Sequence, residues 1–121
     1  MTIFDLCGVV RETSFSIHRY LRSGYLEKIY GNALAHRLAK QGIKFKQEHP
    51  IDVFDEDGTR LGHYAADFLI ADELIVELKA CDNIRSEHIA QLLGYLRGAR
   101  LHHGMLINFG AAKIQLKKLI L

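Results

Sequence analysis

The chain has 121 residues, enough for one domain with a buried core, and its 49% apolar and 25% charged content is that of an ordinary globular protein. No apolar run reaches the length of a membrane span, and MTIFDLCGVVRE lacks the basic start of a secretory leader, so the expectation is a cytoplasmic protein without a membrane partner. Two cysteines, Cys7 and Cys81, give neither a disulfide framework nor a zinc signature, and a net charge of +2 permits nucleic-acid binding without arguing for it.

Ile3 to Leu21 reads as a helix whose clearest apolar stripe is Ile17, Tyr20 and Leu21, with Gly24 beyond it suited to a left-handed cap. A second helix runs from about Tyr25 to Gln41. Leu26, Ile29, Tyr30, Ala33, Leu34 and Leu38 recur along it at three and four residues, and Gly42 ends it. Glu27 lies about 100° around from Leu26, at the edge of that stripe. There it can face a cleft, or simply sit in solvent as a first-turn glutamate favoured by the helix dipole. Ile43 to Phe54 reads as a strand in which Pro50 demands an edge position or a bulge. Asp55 to Gly58 is a turn, Arg60 to Ile70 the next strand and Leu74 to Ala80 the third. Asp82 or Asn83 caps a helix to about Arg97, ended by Gly98. Its stripe is Ile89, Leu92, Leu93 and Leu96, with His88, Gln91 and Tyr95 on an adjacent face. Gly104 to Phe109 is a short buried strand and Lys113 to Leu121 a last one. The order predicts a single mixed α/β domain over residues 1–121.

The stretch that organises the rest is YAADFLIADELIVELKA, Tyr64 to Ala80. Two apolar runs with a short polar break predict a hairpin. In a strand Glu77 and Lys79 share a face with Ile75, while Val76 and Leu78 take the other. So apolar a strand belongs near the middle of a sheet, where a carboxylate and an ammonium are costly unless paired or bound to a metal. A three-residue loop, Ala71 to Glu73, sets Asp67 opposite Glu77, whereas a two-residue loop sets it opposite Val76; the prediction is the first register or a bulge.

Asp67, Glu77 and the carbonyl of Leu78 make a hard oxygen set suited to Mg²⁺ or Mn²⁺. Lys79 beside them can orient a water or neutralise charge on a phosphate. Gln91 and Tyr95, one helical turn apart, can hydrogen-bond a phosphate or the attacking water, and Glu27 can bind the metal or orient the lysine. The composite is a site for metal-dependent phosphodiester hydrolysis. A D…ExK pattern also arises by chance, with Glu and Lys facing solvent or pairing with each other. The histidines show no ligand spacing: His102-His103 reads as a solvated loop, His18 and His88 as surface residues. Cys81 reads as a small buried residue.

Gly24-Tyr25-Leu26-Glu27-Lys28-Ile29-Tyr30 fits GxxExxY. Together with His18, GHYAADFLI, IVELKA, HIAQLLGYL and LINFG, in that order from about Ile17 to Leu121, it resembles the GxxExxY family of the PD-(D/E)XK nuclease-like superfamily. The resemblance implies a restriction-endonuclease-like α-β-β-β-α-β core, a mixed central sheet flanked by helices, here with an extra N-terminal helix. It implies that Asp67, Glu77 and Lys79 take the acidic, acidic and lysine positions, Glu27 the helical glutamate, and Gln91 with Tyr95 a QxxxY element. One departure, Ser23-Gly24 where many members have a second glycine, touches only a turn.

The expectation for function is a Mg²⁺- or Mn²⁺-dependent nuclease acting on DNA, alone, as a homodimer or with a protein partner. The alternatives are a non-catalytic nucleic-acid-binding or assembly protein that keeps the fold, and a small-molecule phosphoesterase. Arg85, Arg97, Arg100, Lys113, Lys117 and Lys118 can form a phosphate-tracking face.

Overall fold

The computed structural model describes residues 1–121. The elements run α1 (Ile3–Leu21), α2 (Glu27–Lys40), β1 (Phe45–Phe54), β2 (Arg60–Ile70), β3 (Leu74–Lys79), α3 (Ser86–Ala99), β4 (His103–Asn108) and β5 (Gln115–Ile120). One five-stranded sheet has the order β1-β2-β3-β4-β5. Every neighbouring pair is antiparallel except β3 and β4, which are parallel. A parallel pair needs a crossover, and α3 supplies it. β3 is therefore central, as its apolar run predicts, and β1 with Pro50 is an edge.

Helices cover both faces. Leu6, Val10 and Ile17 of α1 and Tyr30, Leu34 and Leu38 of α2 pack with Phe68, Val76, Leu78 and Ile107. On the opposite face Leu92, Tyr95 and Leu96 of α3 pack with Leu69, Ile75 and Leu106. Ile75 and Leu78 thus lie on the sides that period-2 alternation assigns them, which places Glu77 with Ile75 on the α3 side.

Several helix details differ from the sequence expectation. The stripe of α1 is Leu6, Cys7, Val10, Thr13, Ser14, Ile17 and His18. Tyr20 lies about 90° from its centre on a helical wheel and is 80% exposed. His18 is buried, its Nε2 bonded to the Ala111 carbonyl oxygen at 3.0 Å. The C-cap of α1 is Arg22, at φ 63° and ψ −171°, two residues before Gly24, which itself has φ 115°. Leu26 is the residue before α2 begins, so helical periodicity does not apply to it, and it is exposed with Ile29.

Asp82 and Asn83 do not cap α3. Asn83 Oδ1 instead accepts from Gln115 Nε2 at 3.2 Å, tying the loop to β5. The helix starts at Ser86, where His88 Nδ1 accepts the Arg85 N–H at 3.1 Å. It also runs through Gly98 to Ala99. A Cβ at Gly98 would stand 3.0 Å from Ile51 Cγ2, so glycine lets β1 lie close against the helix. His103 opens β4 half-buried rather than sitting in a solvated loop.

β2 and β3 pair as Phe68↔Val76, Leu69↔Ile75 and Ile70↔Leu74. A three-residue turn joins them, with φ 52° at Ala71 and 58° at Asp72. This is the register that sets Asp67 opposite Glu77, and the main-chain ladder stops one pair short of them.

An irregularity also falls there. Ala66 packs on the α3 side with Leu69, three residues on, while Phe68 packs on the α1/α2 side. In β1 the partner position behaves alike: Ile51 faces α3, Phe45 faces the other side, and Glu48 between them has φ 52°. The β1–β2 ladder passes from Gln47↔Phe68 to His49↔Ala66 without a Glu48–Asp67 pair. Both strands change faces at this point, and Asp67 comes within reach of both sides of the sheet.

Candidate active site

Where the β2–β3 ladder stops, side chains take over the backbone groups. Glu77 Oε1 accepts the Asp67 N–H at 2.8 Å, and Asp67 Oδ2 accepts the Leu78 N–H at 2.7 Å. The two carboxylates hold the strand ends apart while satisfying one amide on each strand. Glu77 is only 5% exposed. Burial, then the neighbouring Asp67 charge, pushes its carboxyl up to about 8. Asp67 is also raised, by burial first, against the Leu78 amide that favours its anion. Lys79 is half-buried at the end of β3 and makes no ion pair, yet its charge lowers Asp67, Glu77 and Glu27.

Glu27 approaches from the other layer. It is the first residue of α2, and that start is fixed by Tyr30 one turn later. The Tyr30 ring is fully buried and stacks on Phe109 at 4.7 Å, while its hydroxyl donates to the Arg22 carbonyl. This couples the glycine-to-α2 turn to the end of β4. Glu27 is solvent-accessible, but protein packs close around its carboxyl. That desolvation, then Asp67, raises its pKa, opposed by Lys79. Glu27 is thus an exposed first-turn acid of α2 that also lines an opening beside Asp67.

Two openings lie near the carboxylate pair, the first reaching Asp67 itself and the second reaching Tyr95, which feels the charges of both carboxylates. One, of about 720 Å³, is lined by Glu27, Gly31, Glu48, Asp67 and Leu78 among others. The second, of about 700 Å³ on the α3 side, is lined by Tyr64, Gln91 and Tyr95 among others. Tyr95 is 7% exposed, and its hydroxyl is pushed up to about 12 by burial, then by the charges of Glu77 and Asp67. It therefore stays a proton donor at working pH. Gln91 shares the groove but is exposed and makes no hydrogen bond to the carboxylates. Cys81 is half-exposed, not buried; its thiol donates to the Asn83 carbonyl at 3.2 Å.

Sequence reasoning misses two contributors. Glu48 lines the first opening, and its charge raises both Asp67 and Glu27. Glu48 comes level with Asp67 only through the register irregularity between Val53 and Phe54; a regular count outward from the Asp55–Gly58 turn pairs Glu48 with Ala65, so the sequence does not signal it. The other is Asn108. Fully buried, it accepts from the N–H groups of Cys81 and Gly110 at 3.0 Å each and donates to the Cys81 carbonyl at 2.9 Å. Phe109 N–H donates to the Lys79 carbonyl at 2.8 Å. A Cβ on Gly110 would collide with the Ala80–Cys81 backbone, so only glycine admits this clasp around the residue after Lys79.

A family model described as the PD-(D/E)XK nuclease superfamily matches residues 5–119. The chain belongs to the PD-(D/E)XK nuclease superfamily. Its fold is that of solved structures of low identity. The crystal structure of SSO0001 superposes with TM-score 0.62 at 18% identity, covering 77% of this chain and 50% of that one. An alkaline exonuclease (LHK-Exo) from Laribacter hongkongensis gives TM-score 0.56 at 13% identity, covering 77% and 55%. The chain thus spans about half the length of these structures. Comparison with curated proteins gives no match.

PD-(D/E)XK nucleases generally use divalent metals, and the donor set here fits one. Asp67 and Glu77 each keep one carboxylate oxygen outside the bonds to Leu78 and Asp67 amides. Their mutual repulsion in a buried place is what a cation relieves. No three acidic, histidine or cysteine side chains converge into a closed cage. Two carboxylates with a backbone oxygen suit a hard divalent cation that retains several waters.

Proposed function

We propose that this chain is a divalent-metal-dependent nuclease that hydrolyses phosphodiester bonds of DNA, a GxxExxY-type member of its superfamily acting as one domain over residues 1–121. The observation that carries the reading is the buried Asp67–Glu77 bridge, raised in pKa and neighboured by the charges of Lys79 and Glu27. Asp67, Glu77 and the Leu78 carbonyl hold Mg²⁺ or Mn²⁺. The bound ion supplies Lewis acidity and a water of lowered pKa.

The remaining work belongs to side chains of the chain itself. Lys79 neutralises charge that develops on the phosphate and steadies the attacking water. Glu27 orients that lysine from the α2 side. Tyr95, held protonated, donates a hydrogen bond to a phosphate oxygen, and Gln91 contacts the same phosphate from the exposed side of α3.

Calorimetric titration with Mn²⁺ and Mg²⁺, in the presence and absence of oligonucleotide, tests the site without presuming a sequence preference. Saturable binding by wild type that Asp67→Asn loses is the expected result. Lys79→Ala is expected to abolish metal-dependent cleavage while leaving the melting temperature and metal binding in place. Unchanged cleavage by Lys79→Ala, or metal binding indifferent to Asp67→Asn, overturns the proposal.

A further inference from the structure

The groove on the α3 side contains more than a catalytic tyrosine requires. Its walls are the outer part of the β1–β2 hairpin and one face of α3. Two aromatic side chains stand open along it: Tyr64 at 52% and Phe54 at 57% exposure. Tyr64 leans on Tyr95 with ring centroids 5.1 Å apart, and Tyr95 is the groove residue that feels the charges of Glu77 and Asp67, so the aromatic row runs outward from the residue nearest the carboxylates' field. Arg97 and Arg100 lie on the opposite wall and make no ion pair. The two acids of the groove do have partners, Asp52 with Arg60 at 3.0 Å and Glu87 with Arg85 at 3.9 Å. Free positive charge therefore faces exposed aromatic surface across about 700 Å³.

Gly94 adds an independent sign. Glycine inside a helix is destabilising relative to alanine. Gly98, one turn on, is explained by the approach of Ile51, but a Cβ at Gly94 would meet only Arg97 Nη2, at 3.8 Å. Packing does not require glycine at this position. What a side chain there would occupy is the groove itself.

We propose that this groove holds an unpaired, single-stranded stretch of DNA adjoining the bond to be cut, with bases stacked on Tyr64 and Phe54 and phosphates at Arg97 and Arg100. The inference rests on the nuclease reading, since it takes its occupant to be the strand that enters at Asp67 and Glu77. Stacking surface of this kind serves unpaired bases, because the faces of paired bases in a duplex are covered by their neighbours. The arginines match the phosphates in charge and add no sequence preference. The substrate class is then DNA with a single-stranded end or gap rather than an intact duplex.

The test is anisotropy of a labelled oligothymidylate of about 12 nucleotides, in chelator so that no cleavage occurs. Wild type is expected to bind it more tightly than a duplex of equal length. Tyr64→Leu keeps apolar bulk against Tyr95 and is expected to weaken binding about tenfold. Gly94→Leu is expected to raise the melting temperature while weakening binding, an outcome that poor folding cannot imitate. Replacing Arg97 and Arg100 together by alanine is expected to reduce the salt slope of log K by about 1.4, for two lost single-strand phosphate contacts. The same double change at Lys117 and Lys118 on β5 is the control and is expected to leave that slope in place.

Equal affinity for duplex, wild-type binding by Tyr64→Leu or Gly94→Leu, or a larger loss from the β5 control overturns the groove. Cleavage separates the two proposals. If Lys79→Ala abolishes cutting of single-stranded DNA while Tyr64→Leu cuts as wild type does, the nuclease stands and the groove falls. Groove-dependent binding with no cutting by wild type leaves the groove and removes the nuclease.

Discussion

Glu77→Gln should make the metal-free protein more stable at alkaline pH. In the folded chain the Glu77 carboxyl is pushed from an ordinary 4.5 up to about 8, by burial first and the Asp67 charge second. Between those values the folded state holds a proton that the unfolded state has released. The stability of the metal-free protein therefore falls as pH rises from 4.5 to about 8 and levels off above. At about 1.4 kcal/mol for each pH unit, the penalty at pH 8.5 has a ceiling of about 5 kcal/mol. Asp67 shares the repulsion, so about half of that is a fair expectation.

The amide of glutamine keeps the acceptor that the Asp67 N–H needs and removes the charge. For a chain of this size 1 kcal/mol moves the melting temperature by about 4 °C. Glu77→Gln should then melt about 10 °C above wild type at pH 8.5 in chelator, with the gap closing by pH 4.5. Scanning calorimetry across that range measures it. A variant less stable than wild type at pH 8.5, or a gap that pH leaves unchanged, would refute the account of Glu77 as an ionised group held at a cost. Added Mn²⁺ should stabilise wild type and leave the variant where it was.

Gly110→Ala forces a Cβ into the Ala80–Cys81 backbone and should cost about 3 kcal/mol in urea unfolding. Tyr95→Phe removes a hydroxyl that feels Glu77 and Asp67; cleavage should fall by up to about a hundredfold while the melting temperature holds. Glu48→Gln removes a charge that raises Asp67 and Glu27, so titration should show Mn²⁺ bound a few times more weakly, and tighter binding would exclude Glu48 as part of the cation's field.

Much of this architecture can be read from residues alone, because single facts constrain it tightly. Three residues between Ile70 and Leu74 fix the register that faces Asp67 with Glu77. Pro50, which lacks an amide hydrogen, keeps β1 at an edge. The Glu77 carboxylate in an apolar β3 demands a partner, and β2 supplies one in the Asp67 N–H, while Lys79 at the strand end makes no ion pair. Two of the departures concern periodicity. Leu26 precedes the helix, so the helical period does not reach it, and Tyr20 sits on the flank of its stripe. Glu48 escapes because a strict alternation of faces presupposes a regular pleat, and the pleat fails at Glu48 and Asp67. The groove of Tyr64, Arg97 and Arg100 is assembled from two elements distant in sequence, so no local pattern announces it.

Between Asp67 and Glu77 the sheet is closed by side chains where peptide groups would ordinarily close it. A peptide pair has one fixed state. A carboxylate can take a proton, take a cation or turn one oxygen elsewhere while the strands stay where they are. The seam is thus a place inside the central sheet where bonding between strands answers to pH and to ions, set among main-chain ladders whose bonding does not. Such a seam can exchange partners through a reaction cycle without asking the fold to open.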